Sequence, residues 1–511
     1  MTWSDGYVTD LNYTFGYYPE LNPAMLRLAC LCHGVAMPGG DAPTYLELGF
    51  GQGISINVHA AGSEGTFWGT DFNPAHAAGA RELAAASGAG IRLLEDSFED
   101  LAARDDLPDF DIIALHGVWS WVSDANRRLI KDVIRRRLRP GGIAYISYNC
   151  LPGWAPIVPI RHLMAVYRDR GPRGAGVNGM ISGAKAFVEE VARADTGSFR
   201  DSSLMRQHLE ILGRQGPAYL AHEYLNADWH LESISDLVLS LDEAKLTYVG
   251  SARLLDGVDA IHLGDEGRKL VSRIDDAVMR ETVRDHLVNR RFRADIFVKG
   301  ARRLSGPERR DLWHDHAFVL SVPAVDVPKR IPCALGEAEL HAERYDPVIE
   351  ALAEDGYRAK TLGELLERPQ LRDRRSQDLA EALTILVGAG LASPARPPSD
   401  AAMERCSRLN EHVLRRARVS MDLRHLASPV TGGGVPLAHV GQLFVLACRE
   451  GGDRAEGLAE FVWRFLESVG ERLTKDGRRL ESKDDNLREL TASANRFLRF
   501  ERPHLQGLRA I

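Results

Sequence analysis

Apolar positions along the N-terminal part of the chain switch repeatedly between a period of two and a period near 3.6, which predicts alternating strands and helices. From Thr44 the run TYLEL is followed by glycines at 49, 51 and 53 and then by ISINVHAA in helical phase: a strand, a tight turn and a helix. TFWGTD reads as a second strand ending at Asp71, with Asn73 and Pro74 supplying an N-cap and first-turn proline for an alanine-rich helix. GIRLLEDSF gives a third strand ending at Asp96, and FDIIALHG a fourth ending at His116. In DANRRLIKDVIRRRL the residues Leu129, Ile130, Val133, Ile134 and Leu138 share one helical face, and RPGGIAYISY is a turn and a fifth strand. This alternation predicts an α/β fold with a parallel sheet, whose ligands sit at the carboxyl ends of the strands.

Farther along the pattern changes. Residues 258–303 read as helices ending in the basic stretch RRFRADIFVKGARR, and WHDHAFVLSVPA as a strand. Residues 345–395 read as a winged helix, with a helix over 346–354, a short strand, and TLGELLER opening on the capping box Thr361 to Glu364. Its last helix, 376–388, contains Asp378 and Glu381 and no basic residue, which favours packing or protein binding over DNA reading. SPARPPSD is a linker, and 401–511 a helical C-terminal domain interrupted by the TGGGVP loop. The expected divisions are 1–40, 41–255, 256–340, 341–395 and 401–511.

Composition narrows the class. The 511 residues are 44% hydrophobic and 26% charged, which excludes a disordered tail, a collagen-like fibre and a small disulfide scaffold. A net charge of −7 gives no basic excess and argues against nucleic acid as an obligatory partner. Six cysteines match neither disulfide nor zinc spacing, and His314 and His316 lack a third ligand, so no metal is expected. With no signal-peptide pattern and no apolar run near the roughly 18 residues of a membrane helix, a soluble cytoplasmic protein is expected, with no membrane partner.

The glycine turn carries the first chemistry. A dinucleotide fingerprint would need glycine at position 54, where this chain has Ile54. The pattern is instead E-x-G-x-G-x-G, beginning at Glu47. A carboxylate there would repel a pyrophosphate, yet it favours the cationic amino-acid end of S-adenosylmethionine (SAM). Asp71 is placed to accept the ribose hydroxyls, with Phe72 beside it. Asp96 is placed for the adenine amino group, Ser97 and Phe98 follow it, and Phe98 can cover the ring. His116 and Gly117 end the fourth strand. Tyr7, Tyr13, Phe15, Tyr17 and Tyr18 crowd a short polar segment expected to fold over SAM, with Tyr17 or Tyr18 hydrogen-bonding it.

These residues resemble those of class I SAM-dependent methyltransferases, and more narrowly of those with a methyltransferase regulatory domain, a group that includes the rickettsial protein lysine methyltransferases. The narrower resemblance lies in GYVTDLNYTFGYYPELNP, LHGVWSWV, SYNCLPGW, AHEYLNADWH, LTYVGSA and RRFRADIFVKG. It implies a Rossmann-like seven-stranded sheet with added helical and winged-helix domains. AYLAHEYLN, ESISDLVLSLDEA and KLTYVGSA then read as the sixth strand, a helix and the seventh strand. Residues 155–217 become an insertion, with helices near 157–169, 184–195 and 203–214 and the linker GPRGAGVNGMISG, serving as a lid or substrate wall.

Methyl transfer from a sulfonium is an in-line displacement, so the acceptor must present a lone pair, be aligned and be kept from water. A lysine ammonium must first lose its proton. Candidates for this work are His116, Tyr148, Asn149 and Glu223, with Trp119, Trp121 and Trp154 as walls able to favour a cation. The leading expectation is methylation of a protein lysine, on the resemblance a surface or outer-membrane protein before export. A small-molecule methyltransferase using the extra domains for a homodimer, and a SAM-binding scaffold without catalysis, are the alternatives.

Overall fold

A largely parallel sheet buries both its faces against helices, and seven strands form one such sheet here. They are β1 (Thr44–Leu48), β2 (Thr66–Thr70), β3 (Arg92–Leu94), β4 (Phe110–Leu115), β5 (Leu138–Asn149), β6 (Leu246–Ser251) and β7 (Phe292–Lys299), in the order β3-β2-β1-β4-β5-β7-β6. β1 to β5 run parallel, and β7 lies antiparallel to both β5 and β6. This computed structural model describes residues 6–7, 15–37, 39–172, 176–194 and 197–511. Strand order reverses between β1 and β4, so the crevice that such a reversal opens lies at their carboxyl ends.

Helix α1 (Pro23–Cys32) precedes the sheet, and α2 (Ile54–Gly62), α3 (Pro74–Ser87), α4 (Phe98–Ala103) and α5 (Asp124–Arg137) connect its strands. Asn73 caps α3 by accepting the Ala75 N–H at 2.9 Å, with Pro74 in the first turn as expected.

The last two strands differ from the expected ones. AYLAHEYLN is helix, not strand six: it lies within Pro217–Tyr224 and the two residues that follow, and buries Leu220, Ala221 and Tyr224 at helical spacing behind a first-turn proline. KLTYVGSA is β6 rather than the seventh strand. The seventh is RFRADIFVK, expected to be the end of a helical basic face. Its Arg293 is 2% exposed because Asp295 Oδ2 (2.7 Å), Asp285 Oδ1 (2.6 Å) and Glu281 neutralise it inside the fold. The sheet therefore extends to residue 299, beyond the expected boundary at 255.

The insertion holds α6 (Val158–Arg170), α7 (Gly176–Arg193), α8 (Ser198–Asp201), α9 (Ser203–Gly213) and α10 (Pro217–Tyr224). Part of the expected glycine linker is the start of α7, where Ile181, Ala184 and Val188 bury one stripe.

Strand Ala317–Leu320 pairs antiparallel with Lys360–Thr361 and Ala392–Ala395, and helices Ala342–Tyr357, Leu362–Leu366 and Ser376–Gly388 belong to the same unit. The small sheet thus takes a strand from before residue 341. In the C-terminal domain the expected TGGGVP loop contains a strand: Gly433–Pro436 pairs with His425–Ser428. That domain shares a core with α2, in which Ile54, Val58 and Ala61 lie among Leu409, Val413 and Leu426. No helix among the described residues is long and apolar enough to cross a membrane.

Candidate active site

The carboxyl ends of β1, β2, β4 and β5 open on a cleft of about 230 Å³. Its floor is the turn after β1. Gly51 has φ +57°, and a Cβ there would meet nothing within 4 Å, so the backbone faces open space. Gly53 serves packing instead: its φ is +72°, and a Cβ would fall 2.4 Å from that of Ala80 on α3. The Gly51 N–H donates to Asp71 Oδ2 at 2.8 Å, while Asp71 Oδ1 accepts the Asn73 N–H at 3.0 Å and lies 3.2 Å from His76 Nδ1. Asp71 is thereby oriented, with lone pairs left for a ligand. Glu47, 3% exposed, accepts the Tyr45 hydroxyl at 3.1 Å. Burial pushes its carboxyl up to about 8, with the charge of Asp71 adding to the rise.

Above the floor, His116 lies with its ring 4.0 Å from that of Tyr18 and its Nδ1 2.8 Å from the Tyr145 hydroxyl. Burial lowers its pKa to about 3, so the imidazole is neutral and a poor proton acceptor. Tyr7 crosses the cleft, edge-on to Phe72 at 5.8 Å and 5.4 Å from the His222 ring. The far wall brings in Asn149, whose buried Nδ2 has no hydrogen-bond partner among the described residues, and Glu223, raised by burial to about 7. Behind them Arg161 of α6 stacks over Trp229 at 4.7 Å, lies 5.9 Å from Trp121, and donates to the Asn226 carbonyl at 2.7 Å.

Of the predicted residues, Tyr18, Glu47, Gly49, Gly51, Asp71, Phe72, Phe98, His116, Gly117, Trp121, Asn149 and Glu223 line this cleft. Others do not. Tyr17 points away, its hydroxyl accepting the Gly434 N–H at 2.7 Å. Tyr148 lies on the opposite face of β5 from Asn149 and donates to Asp295 Oδ2 at 2.6 Å, which removes it from the chemistry. Asp96 is engaged by Arg104 Nη1 at 2.9 Å, and Ser97 caps α4 by accepting the Asp100 N–H at 3.1 Å. Trp119 is buried beneath Arg127, and Trp154 packs edge-on to Trp229 at 5.6 Å. Phe15 is 38% exposed, and Tyr13 lies outside the described residues. The lining residues that sequence reasoning missed include Gln52, His76, His222 and Phe292. Phe292 was hidden with its strand, and His222 sits on a helix taken for a strand; Asn226, expected with Glu223 in a substrate loop, lines the cleft just after that helix.

A buried carboxyl, a carboxylate oriented by backbone N–H groups, open backbone at Gly51 and flanking aromatic rings suit an adenosine ligand such as SAM. Comparison with known proteins agrees. Residues 46–142 match a family model described as "Methyltransferase domain", and residues 216–299 one described as "Predicted methyltransferase regulatory domain". The protein sll1526 of Synechocystis sp. is 36% identical over 502 residues, covering 97% of each chain. This chain belongs to the class I SAM-dependent methyltransferases. RP789 of Rickettsia prowazekii is 27% identical over 285 residues, 55% of this chain and 50% of that one. The structure of PKMT2 from Rickettsia typhi in complex with AdoHcy has the same fold, with a TM-score of 0.67 and 16% identity over 98% of this chain and 99% of that one. With the methyltransferase-domain match spanning the glycine turn and the strands of the cleft, the chain is an enzyme of methyl transfer with SAM as its cofactor.

Proposed function

We propose that this methyltransferase acts on an amine nitrogen, and specifically on the lysine side chain of a protein. The observation that carries the proposal is Glu223: a carboxyl facing the cleft, raised by burial to about 7 against the opposing charge of Arg161. A carboxylate of that basicity can hold the proton that a lysine ammonium must lose near neutral pH, whereas His116, at about 3, cannot.

When bound, SAM supplies a methyl group on a cationic sulfur. Asp71 offers that cofactor an acceptor for ribose hydroxyls, and the backbone at Gly51 and Gly117 offers room for close approach. Glu47, raised to about 8 and so protonated near neutral pH, presents a hydrogen-bonding carboxyl rather than a charge. Tyr7, Tyr18, Phe72 and Phe98 exclude water from the floor. Trp121 presents an aromatic wall to an incoming cation. Asn149 Nδ2 is a donor in want of an acceptor, suited to orient polar atoms of the acceptor. A long, unbranched side chain reaches such a recessed carboxylate while its own backbone stays outside. The resemblance to rickettsial protein lysine methyltransferases supports the same acceptor class.

Incubation of the full chain with SAM labelled in its methyl group and a cell lysate tests this reading. Label retained above a protein size cutoff and recovered as methyl-lysine after hydrolysis is expected. Label found only in small molecules, or tight SAM binding with no labelled product, defeats it.

A further inference from the structure

Neighbouring tyrosines in the segment before α1 face opposite ways. Tyr18 forms part of the cofactor cleft, with its N–H donating to Ser55 Oγ of α2 at 2.9 Å. Tyr17 turns toward the C-terminal domain. Its hydroxyl accepts the Gly434 N–H at 2.7 Å and lies 3.2 Å from His59 Nε2 of α2, and its ring packs 4.7 Å from that of His425. Farther along the segment, Asn22 Nδ2 donates to the Thr431 carbonyl at 3.0 Å. One wall of the cleft is thus fastened from behind, at both ends, by the hairpin of residues 425–436.

The glycines of TGGGVP explain how the hairpin comes so close. A Cβ on Gly433 would lie 2.7 Å from the Tyr17 hydroxyl oxygen and 2.8 Å from Asn22 Nδ2, and one on Gly434 would lie 3.0 Å from Tyr17 Cζ. Neither has a positive φ, so what glycine supplies here is absence of bulk. Burial lowers His59 to about 3, which keeps the imidazole beside Tyr17 neutral at physiological pH.

We propose that Tyr17 is a positioning residue for the cofactor, and that the 425–436 hairpin is the part of the C-terminal domain that sets SAM affinity by holding the cover in place. Gly16, Tyr18 and Leu21 all contribute to the cleft. A short segment bearing them, irregular up to Tyr18 and a single 3-10 turn over Pro19–Leu21, would have to be ordered at each binding event, at an entropic cost. Anchored at Tyr17 and Asn22, it is ordered beforehand. The C-terminal domain thereby acts on cofactor binding without touching the cofactor.

The test uses the full chain, calorimetry with S-adenosylhomocysteine, and amide exchange. Tyr17→Phe keeps the ring and removes the hydroxyl; Gly434→Ala places a methyl against that ring from the other end of the sequence. Tyr17→Phe is expected to weaken S-adenosylhomocysteine roughly three- to tenfold. Gly434→Ala is expected to weaken it further. In both, the Tyr18 amide should exchange faster while amides of β4 and β5 keep their protection. Unchanged affinity in Tyr17→Phe overturns the proposal. So does weakened affinity accompanied by lost protection throughout the sheet, because that pattern marks general destabilisation. If Gly434→Ala does not fold, the two readings on Tyr17→Phe decide.

Discussion

Glu223 and Asp71 are both carboxylates in one cleft, yet their surroundings suit them to different work. Asp71 accepts two backbone N–H groups, while Glu223 is desolvated with only the charge of Arg161 to favour its ionised form. A base must be unprotonated to accept a proton, so activity should be present above about pH 7 and fall as pH drops below it. A pH profile of kcat/KM on a lysine-bearing acceptor should show that acid limb. Glu223→Gln should lose the limb together with roughly a hundredfold in rate; persistence of the same limb in the variant would remove Glu223 as the base. Asp71→Ala should weaken S-adenosylhomocysteine by roughly 1–3 kcal/mol through lost hydrogen bonds to a charged group. Calorimetry checks it, and equal affinity overturns the ribose assignment. Asp71 was legible in the sequence because a strand end followed by Asn-Pro fixes its place. Tyr148 and Tyr17 were not, since a shift of one residue along extended backbone sends a side chain to the opposite face.

At the scale of elements, the strands with continuous apolar runs and turn signals were the legible ones. β7 was not, because a strand containing Arg293 and Asp295 looks solvated unless its counter-charges, Glu281 and Asp285 on a helix earlier in the chain, are known to fold onto it. The helix Pro217–Tyr224 failed for another reason: eight residues rich in aromatic and apolar types fit either period. The turn after β1 was read correctly, but its glycines divide the labour in a way that spacing alone does not reveal. Gly53→Ala should destabilise the fold by roughly 1–3 kcal/mol, since the added methyl meets Ala80 and the backbone is left-handed. Gly51→Ala should cost only the left-handed backbone penalty of about 1 kcal/mol, yet weaken cofactor binding by placing a methyl in the cleft. Denaturant midpoints and calorimetry on the two variants should therefore rank them in opposite orders. The same order in both measurements would contradict this division.

Taken as a whole molecule, the methyltransferase sheet is not a unit to which other domains are merely appended. The carboxyl end of α2 is finished by arginines from the other end of the chain. Arg405 donates to the Ala61 carbonyl at 3.2 Å and the Ser63 carbonyl at 2.8 Å, and Arg396 to the Gly62 carbonyl at 2.9 Å. These are the groups a helix terminus leaves without intrahelical partners. Gly62 itself would bring a Cβ within 2.8 Å of the Ser428 carbonyl oxygen, so the two domains meet at backbone distance. Ile54, Val58 and Leu83 are buried in the core they share with the C-terminal helices. Exposing three such side chains costs roughly 5–9 kcal/mol, comparable with the 5–15 kcal/mol that typically holds a domain together. A chain ending at Ala395 should therefore lack a cooperative thermal transition and should not bind S-adenosylhomocysteine, although it keeps every residue that lines the cleft. Full cofactor affinity in that truncated chain would mean that α2 is stable without its distant caps, and the C-terminal domain would then have to be explained by the acceptor alone.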